Sequence, residues 1–216
     1  MSKLVWDAAG SKIYETGVDH GVLYIPTAGV YNKGVVWNGL TAYNASPSGA
    51  EANDLYADNI KYASMRSAEK FGFTIEAYTY PDEFEECDGT ARPVAGVTIG
   101  QQSRKPFGFS CRTLVGSDTE EAGKNYKLHL VYGATASPSE KSYSTVNDSP
   151  DAITFSWECD TTPVNVTNFA PTSELIIDSA TADPTKLAAL EKILYGDDST
   201  EARLPLPDEV IQLMTA

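Results

Sequence analysis

Cysteine is scarce in this chain of 216 residues: three, at Cys87, Cys111 and Cys159. The count is odd, the spacings are wide and no CxxC pair occurs. A disulfide framework is not expected, and a reducing compartment suits the chain better. Histidine is scarcer still, with only His20 and His129. A structural zinc site needs close-spaced His and Cys ligands, and no such spacing is present. No apolar run approaches the roughly 20 residues of a membrane helix. Met1-Ser2-Lys3-Leu4-Val5-Trp6-Asp7 lacks the apolar stretch of a secretory signal. Bases are few: 16 Lys and Arg against 30 Asp and Glu, a net charge of −14. Residues 1–108 carry 13 acids and 9 bases, a net of −4, and residues 109–216 carry 17 and 7, a net of −10. Such a chain repels phosphate backbones, which argues against specific nucleic-acid binding. Solubility accounts for the charge most simply. A wall past which DNA must slide would carry the same sign.

What is present reads as β. Gly (16) and Pro (12) punctuate short runs rich in Val, Ile, Tyr, Phe, Trp and Thr. Phe71, Phe73, Ile75 and Ala77 share one face of a strand, against Thr74, Glu76 and Tyr78. Tyr126, Leu128, Leu130 and Tyr132 form another apolar face, with His129 on the polar side as a surface or interface residue. Ile153, Phe155, Trp157 and Cys159 alternate against Thr154, Ser156 and Glu158. Weaker strands are expected at 21–25, 34–43, 61–66, 97–100, 107–114 and 174–178. About nine strands, each with one buried and one polar face, make an all-β sandwich or barrel. The expected core includes Phe73, Ile75, Leu128, Leu130, Phe155 and Trp157.

Asp183-Pro184 opens a helix with a capping acid and a first-turn proline. Leu187, Leu190 and Ile193 or Leu194 repeat at helical spacing, and Gly196 ends it. A short piece, 82–87, follows Pro81, and 207–214 forms a last helix or strand. Residues 44–59 and 115–125 read as long loops, the first of functional length. The organisation is one β domain over 1–182, with 183–216 as a C-terminal helix and tail of the same domain.

No constellation carries catalysis. Asp82-Glu83-Phe84-Glu85-Glu86-Cys87-Asp88 is dense in carboxylates, but its spacing is not that of a helix-flanked calcium loop. A solvated turn with acids at its positive end is the simpler reading. There is no GxSxG elbow and no Lys-Ser/Thr phosphate loop. Arg104-Lys105, the one basic dipeptide, suits a salt-bridging interface. Asn44-Ala45-Ser46 and Asn165-Val166-Thr167 match the glycosylation triplet without a signal to support it. The residues therefore favour a structural or binding module over an enzyme, with no metal and no cofactor.

Several segments carry a more specific resemblance. They are Tyr14-Glu15-Thr16-Gly17-Val18 through Tyr24, Trp37-Asn38-Gly39-Leu40-Thr41, and Leu55-Tyr56-Ala57-Asp58-Asn59-Ile60-Lys61-Tyr62. Then follow residues 75–84 with Cys87-Asp88-Gly89, Gly100-Gln101-Gln102 with Phe107-Gly108, and residues 126–133. Last come residues 141–149 and Phe155-Ser156-Trp157-Glu158. In order and spacing these resemble the major tail protein (tail tube protein) of long-tailed, non-contractile bacteriophages of Gram-positive hosts. The resemblance implies a tail-tube-type β-sandwich or barrel with one or two flanking helices and long loops. It implies hexameric rings stacked into a tube whose lumen conducts genomic DNA without specific binding. The implied partners are other copies of the chain, the tape-measure protein, the tail terminator and tail-tip proteins, with no membrane. The implied location is the virion, and the host cytoplasm during assembly. Within that frame Thr74, Glu76 and Glu158 are expected to face the lumen. The 44–59 loop, with Asn44, Ser48, Glu51, Asp54 and Asn59, is expected to reach the next ring. The competing reading is a non-catalytic β-sandwich binding module, a virion surface adhesin or carbohydrate-binding domain. It calls for an exposed aromatic patch from Trp37, Tyr43, Tyr78 and Tyr80.

Overall fold

The computed structural model describes residues 4–145 and 151–215. Residues 146–149 of the resembling segment 141–149 therefore lie outside the described residues. The chain opens with β1 (Ile13–Thr27), β2 (Val30–Trp37), β3 (Leu40–Ala45), β4 (Ser48–Gly49), β5 (Ala52–Ala57), β6 (Ile60–Arg66), β7 (Glu69–Lys70) and β8 (Gly72–Ala77). A 3-10 turn over Asp82–Glu86 precedes β9 (Ala91–Val94), β10 (Val97–Ile99), β11 (Phe107–Ser117) and β12 (Asn125–Ala136). Then come β13 (Phe155–Thr161), β14 (Val164–Val166), β15 (Phe169–Thr172) and β16 (Glu174–Asp178). Helices α1 (Pro184–Tyr195) and α2 (Pro207–Thr215) close the chain. The structure is mainly β with two helices, as expected. It has sixteen strands among the described residues rather than nine, because several expected loops are short ribbons.

One large antiparallel sheet runs β2-β1-β11-β12-β13-β8-β3, with β16 also on β12. Strands β2 and β3 stand at opposite ends of that order, yet only Asn38 and Gly39 join them. A flat seven-stranded sheet would hold its edges about 29 Å apart, six spacings of roughly 4.8 Å. Two linking residues span far less. The sheet therefore curls almost onto itself, with Leu40 close against Gly21. The turn is pinned by Trp37 Nε1–H donating to Thr79 O (2.8 Å) and Tyr78 N–H to Gly39 O (2.8 Å). The expected strand 34–43 is thus two strands at opposite sheet ends.

Inside the curl lies the main core, including Leu23, Trp37, Phe73, Ile75, Phe84, Phe107, Phe109 and Trp157. A second core lies outside it. There Tyr24, Leu128, Leu130 and Tyr132 meet Leu190 and Leu194 of α1 and Val210 of α2. The central strands are therefore buried on both faces, which corrects the expectation of one polar face per strand. Along β1, Val22 and Tyr24 face the helices while Leu23 faces the curl. Phe155 is half-buried at the core's edge rather than fully inside. Tyr24 Oη donates to Leu194 O (2.9 Å) and Tyr132 Oη to Pro205 O (2.9 Å), tying the helical layer down.

Helix α1 begins as expected. Asp183 Oδ1 accepts from the N–H groups of Thr185 (2.9 Å) and Lys186 (3.1 Å), satisfying two otherwise unpaired donors. Gly133 explains how β12 serves two partners. Residues 127–131 pair with β16 and residues 134–136 with β13. Between them Gly133 takes φ +59°, where a Cβ would lie 2.3 Å from Thr162 O. Only glycine fits this kink.

Candidate functional site

No residue of β3, β8 or β13 belongs to the helix-side core, so that core does not cover the outer face of these strands. Register sets its rows: Asn44, Thr74 and Glu158 form one, and Ala42, Glu76 and Ser156 the next, with Asp160 opposite Gly72. Thr74, Glu76 and Glu158 thus share that face, half-buried to exposed, while Phe73, Ile75 and Trp157 turn inward. The three strands hold Glu76, Glu158 and Asp160 and no Lys or Arg. None of the three acids forms an ion pair among the described residues. The face repels polyanions at short range. Alternation found Thr74, Glu76 and Glu158. Asp160 carries the same period-two signal and belongs with them.

Residues 44–59 are not a loop. Asn44 lies in β3, in the sheet itself, opposite Thr74. Ser48 is in β4, paired with Lys70 of β7, and Asp54 is in β5, paired with Ser64 of β6. Glu51 O accepts from Ser67 N–H (3.3 Å). Asp58 and Asn59 make the tip with φ +51° and +63°. That two-residue loop with both φ positive suits a twisted hairpin, and Asp and Asn tolerate it. The result is a ribbon arm in which β5 and β6 pair only with each other. One side is polar: Asp54 accepts from Ser64 Oγ (2.6 Å) and pairs with Lys61 (2.8 Å). Leu55, Ile60 and Met65 are exposed, with Tyr56 and Tyr62. Residues 46–71 hold Glu51, Asp54, Asp58 and Glu69 against Lys61, Arg66 and Lys70, a net of −1. The arm is nearly neutral on a strongly acidic chain.

The acidic turn is solvated on one side only, where Asp82 and Glu86 are exposed. Phe84 and Cys87 plug the main core, and Glu85 and Asp88 are buried. Each carboxylate has a cation: Asp82 and Glu85 share Arg92, Glu83 meets Lys33, Glu86 meets Lys105, and Asp88 takes Arg104 and Lys141. Five acids are thus matched by five bases. Among the described residues no group of His, Cys, Asp or Glu is arranged to hold one. Arg104-Lys105 therefore braces its own chain rather than an interface.

His129 is likewise not a surface residue. It is buried, with Nδ1 3.1 Å from Glu174 Oε1 and Nε2 3.1 Å from Thr113 Oγ1. Tyr43 Oη donates to the same Glu174 oxygen at 2.8 Å, and burial pushes its phenol far up. Cys111 is the cross-strand neighbour of His129. Burial drives that thiol and Cys159 well above their usual range and Cys87 up to about 12, so none supplies a thiolate at neutral pH. This network ties β3, β11, β12 and β16 together. The aromatic patch required by a binding module does not form: Trp37 is buried, Tyr43 and Tyr80 are half-buried, and only Tyr78 is exposed. No helix is long and apolar enough to cross a membrane. No protein-family model matches the chain, and no curated protein matches it.

Proposed function

We propose that the chain is a self-assembling structural subunit, a phage tail-tube protein that forms stacked hexameric rings around a DNA-conducting lumen. The observation that carries the reading is the arm. Its exposed Leu55, Ile60 and Met65 touch no core of their own chain, and its charge is nearly neutral where the chain as a whole is −14. Apolar side chains on a two-stranded ribbon are stable when another surface covers them. A neighbouring copy approached through this arm meets the least charge repulsion. The cation-free face of Thr74, Glu76, Glu158 and Asp160 supports a lumen wall, because each attractive phosphate contact would slow transit. The outer edge of β16, unpaired among the described residues, offers a strand for sheet continuation between copies. In this reading the protein is not an enzyme and needs no cofactor, and its partners are the tape-measure, terminator and tail-tip proteins. Its place is the virion, reached from the host cytoplasm.

Electron microscopy and sedimentation of the full chain test this. Wild type is expected to form rings or tubes with a central hole. A Leu55→Asp/Ile60→Asp/Met65→Asp variant is expected to stay monomeric with unchanged unfolding. Rings from neither, or equal assembly by both, would overturn the role given to the arm.

A further inference from the structure

Asn38-Gly39 is the one Asn-Gly pair in the chain, and Asp88-Gly89 the one Asp-Gly pair. Every other Asn is followed by a residue that carries a side chain. The two pairs share a chemical liability. A glycine nitrogen can reach the carbonyl carbon of the preceding side chain, because no Cβ hinders its backbone.

The fold treats the two pairs differently. Asp88 is buried, with Lys141 2.5 Å from one carboxylate oxygen and Arg104 3.5 Å from the other. A carboxylate gripped at both oxygens is not free to turn toward Gly89 N. Asn38 and Gly39 are both exposed. Among the described residues the Asn38 amide makes no hydrogen bond, and the Gly39 N–H donates none. The bonds that pin the turn, Trp37 Nε1–H to Thr79 O and Tyr78 N–H to Gly39 O, leave the Asn38 side chain and Gly39 N untouched. Asn38 and Gly39 also line a cavity of about 260 Å³, where one water needs only about 10–15 Å³. Nucleophile, carbonyl and water therefore meet in the open at this turn.

We propose that Asn38 is a site of spontaneous covalent modification in the folded chain, and that its conversion loosens the curl. Gly39 N attacks Asn38 Cγ and forms the N–Cγ bond of a five-membered succinimide. The Cγ–Nδ2 bond breaks, and Nδ2 leaves as ammonia with the proton from Gly39 N. Water then opens the ring. Cleavage at Cγ–N leaves Asp at position 38. Cleavage between the Asn38 backbone carbonyl carbon and N leaves isoaspartate, with one extra carbon in the main chain. The sum is amide plus water to acid plus ammonia. Asn38 and Gly39 alone join β2 to β3, so a lengthened link works against the bond from Tyr78 N–H to Gly39 O. Either product also adds a negative charge on a cavity that Asp19 lines. The inference is independent of the self-assembly reading.

Incubation of the full chain at neutral pH tests it, folded and in urea, followed by trypsin and mass spectrometry with a zero-time control. Lys33 and Lys61 bound a peptide of residues 34–61 that holds Asn38, Asn44, Asn53 and Asn59. In folded protein Asn38 is expected to gain the mass difference between amide and acid, as an Asp and an isoaspartate form, while the other three keep their amides. Asp88 is expected to yield isoaspartate only in urea. Asn38→Gln, which cannot close the five-membered ring, is expected to lose the conversion. Converted wild type is expected to unfold at lower urea than fresh protein, and Asn38→Gln after the same incubation is not. An Asn38 that converts in urea but keeps its amide in folded protein would overturn the inference, since the fold would then protect it. Equal urea midpoints before and after conversion would overturn the link to the curl.

Discussion

Replacing Phe84 by Ala separates a plugged turn from a solvated one. Phe84 sits among four acids in sequence, yet it has no exposed surface. Its ring lies 4.5 Å from Trp37, 5.3 Å from Trp157 and 5.4 Å from Phe107, centroid to centroid. Truncating such a ring removes its transfer free energy and leaves a cavity between rigid aromatics that cannot collapse into it. The expected loss is about 3–5 kcal/mol. Native domains hold about 5–15 kcal/mol in all, so the variant stays folded but weakened. With a urea slope of about 3 kcal/mol/M, the midpoint falls by roughly 1–1.7 M. Asp82 is the control. Its carboxylate is largely exposed and shares Arg92 with Glu85, so Asp82→Ala is expected to cost under about 1 kcal/mol. Urea unfolding followed by the fluorescence of buried Trp37 and Trp157 reports both. A Phe84→Ala midpoint within error of the Asp82→Ala one would refute the plug and return the turn to solvent.

Further expectations concern charge and capping. Glu76→Lys with Glu158→Lys is expected to leave unfolding within about 0.5 kcal/mol of wild type, since both groups lie on the outer face. In assembled protein it should create salt-sensitive DNA retention, measured by gel shift; no retention would count against a lumen role. Asp183→Ala should cost about 1 kcal/mol by removing the α1 cap, read by thermal unfolding. Burial works to raise the Asp19 carboxyl, but the bidentate bonds from Arg112, 2.9 Å each, and His20 hold it below its ordinary 3.8. The folded pKa is the lower one. The stability is therefore present above the ordinary value and lost as pH falls through the folded value. Asp19→Asn should cost about 1 kcal/mol at neutral pH, and its gap to wild type should close in acid, as pH-dependent unfolding would show. The three cysteines should resist thiol reagents until the chain unfolds.

Much of the fold was legible because period-two alternation survives wherever one strand face meets the core. Phe73, Ile75 and Ala77 against Thr74 and Glu76 is such a case, and it named the acidic face. Helix α1 was legible from Asp183, Pro184 and Gly196, since caps act within a few residues. His129 was misjudged because its neighbours Leu128 and Leu130 already supplied an apolar face. Nothing local says that a helical layer will cover that face and a curled sheet the other. Residues 44–59 were misjudged for a related reason: β5 is held by β6, and the Asp58-Asn59 tip is a weaker hairpin signal than Asn-Gly.

The amino-acid sequence by itself determined the β class, the α1 boundaries, the acid excess and the side of β8 and β13 that faces outward. These follow from local chemistry: side-chain period, capping geometry and charge count. Only the tertiary structure decided that the sheet curls through the Asn38-Gly39 turn and that Phe84 is a core plug. It alone brought Arg92, Arg104, Lys105 and Lys141 onto the acidic turn. Each of these depends on contacts between residues distant in the chain, whose partners are fixed by sheet register rather than by any neighbouring residue.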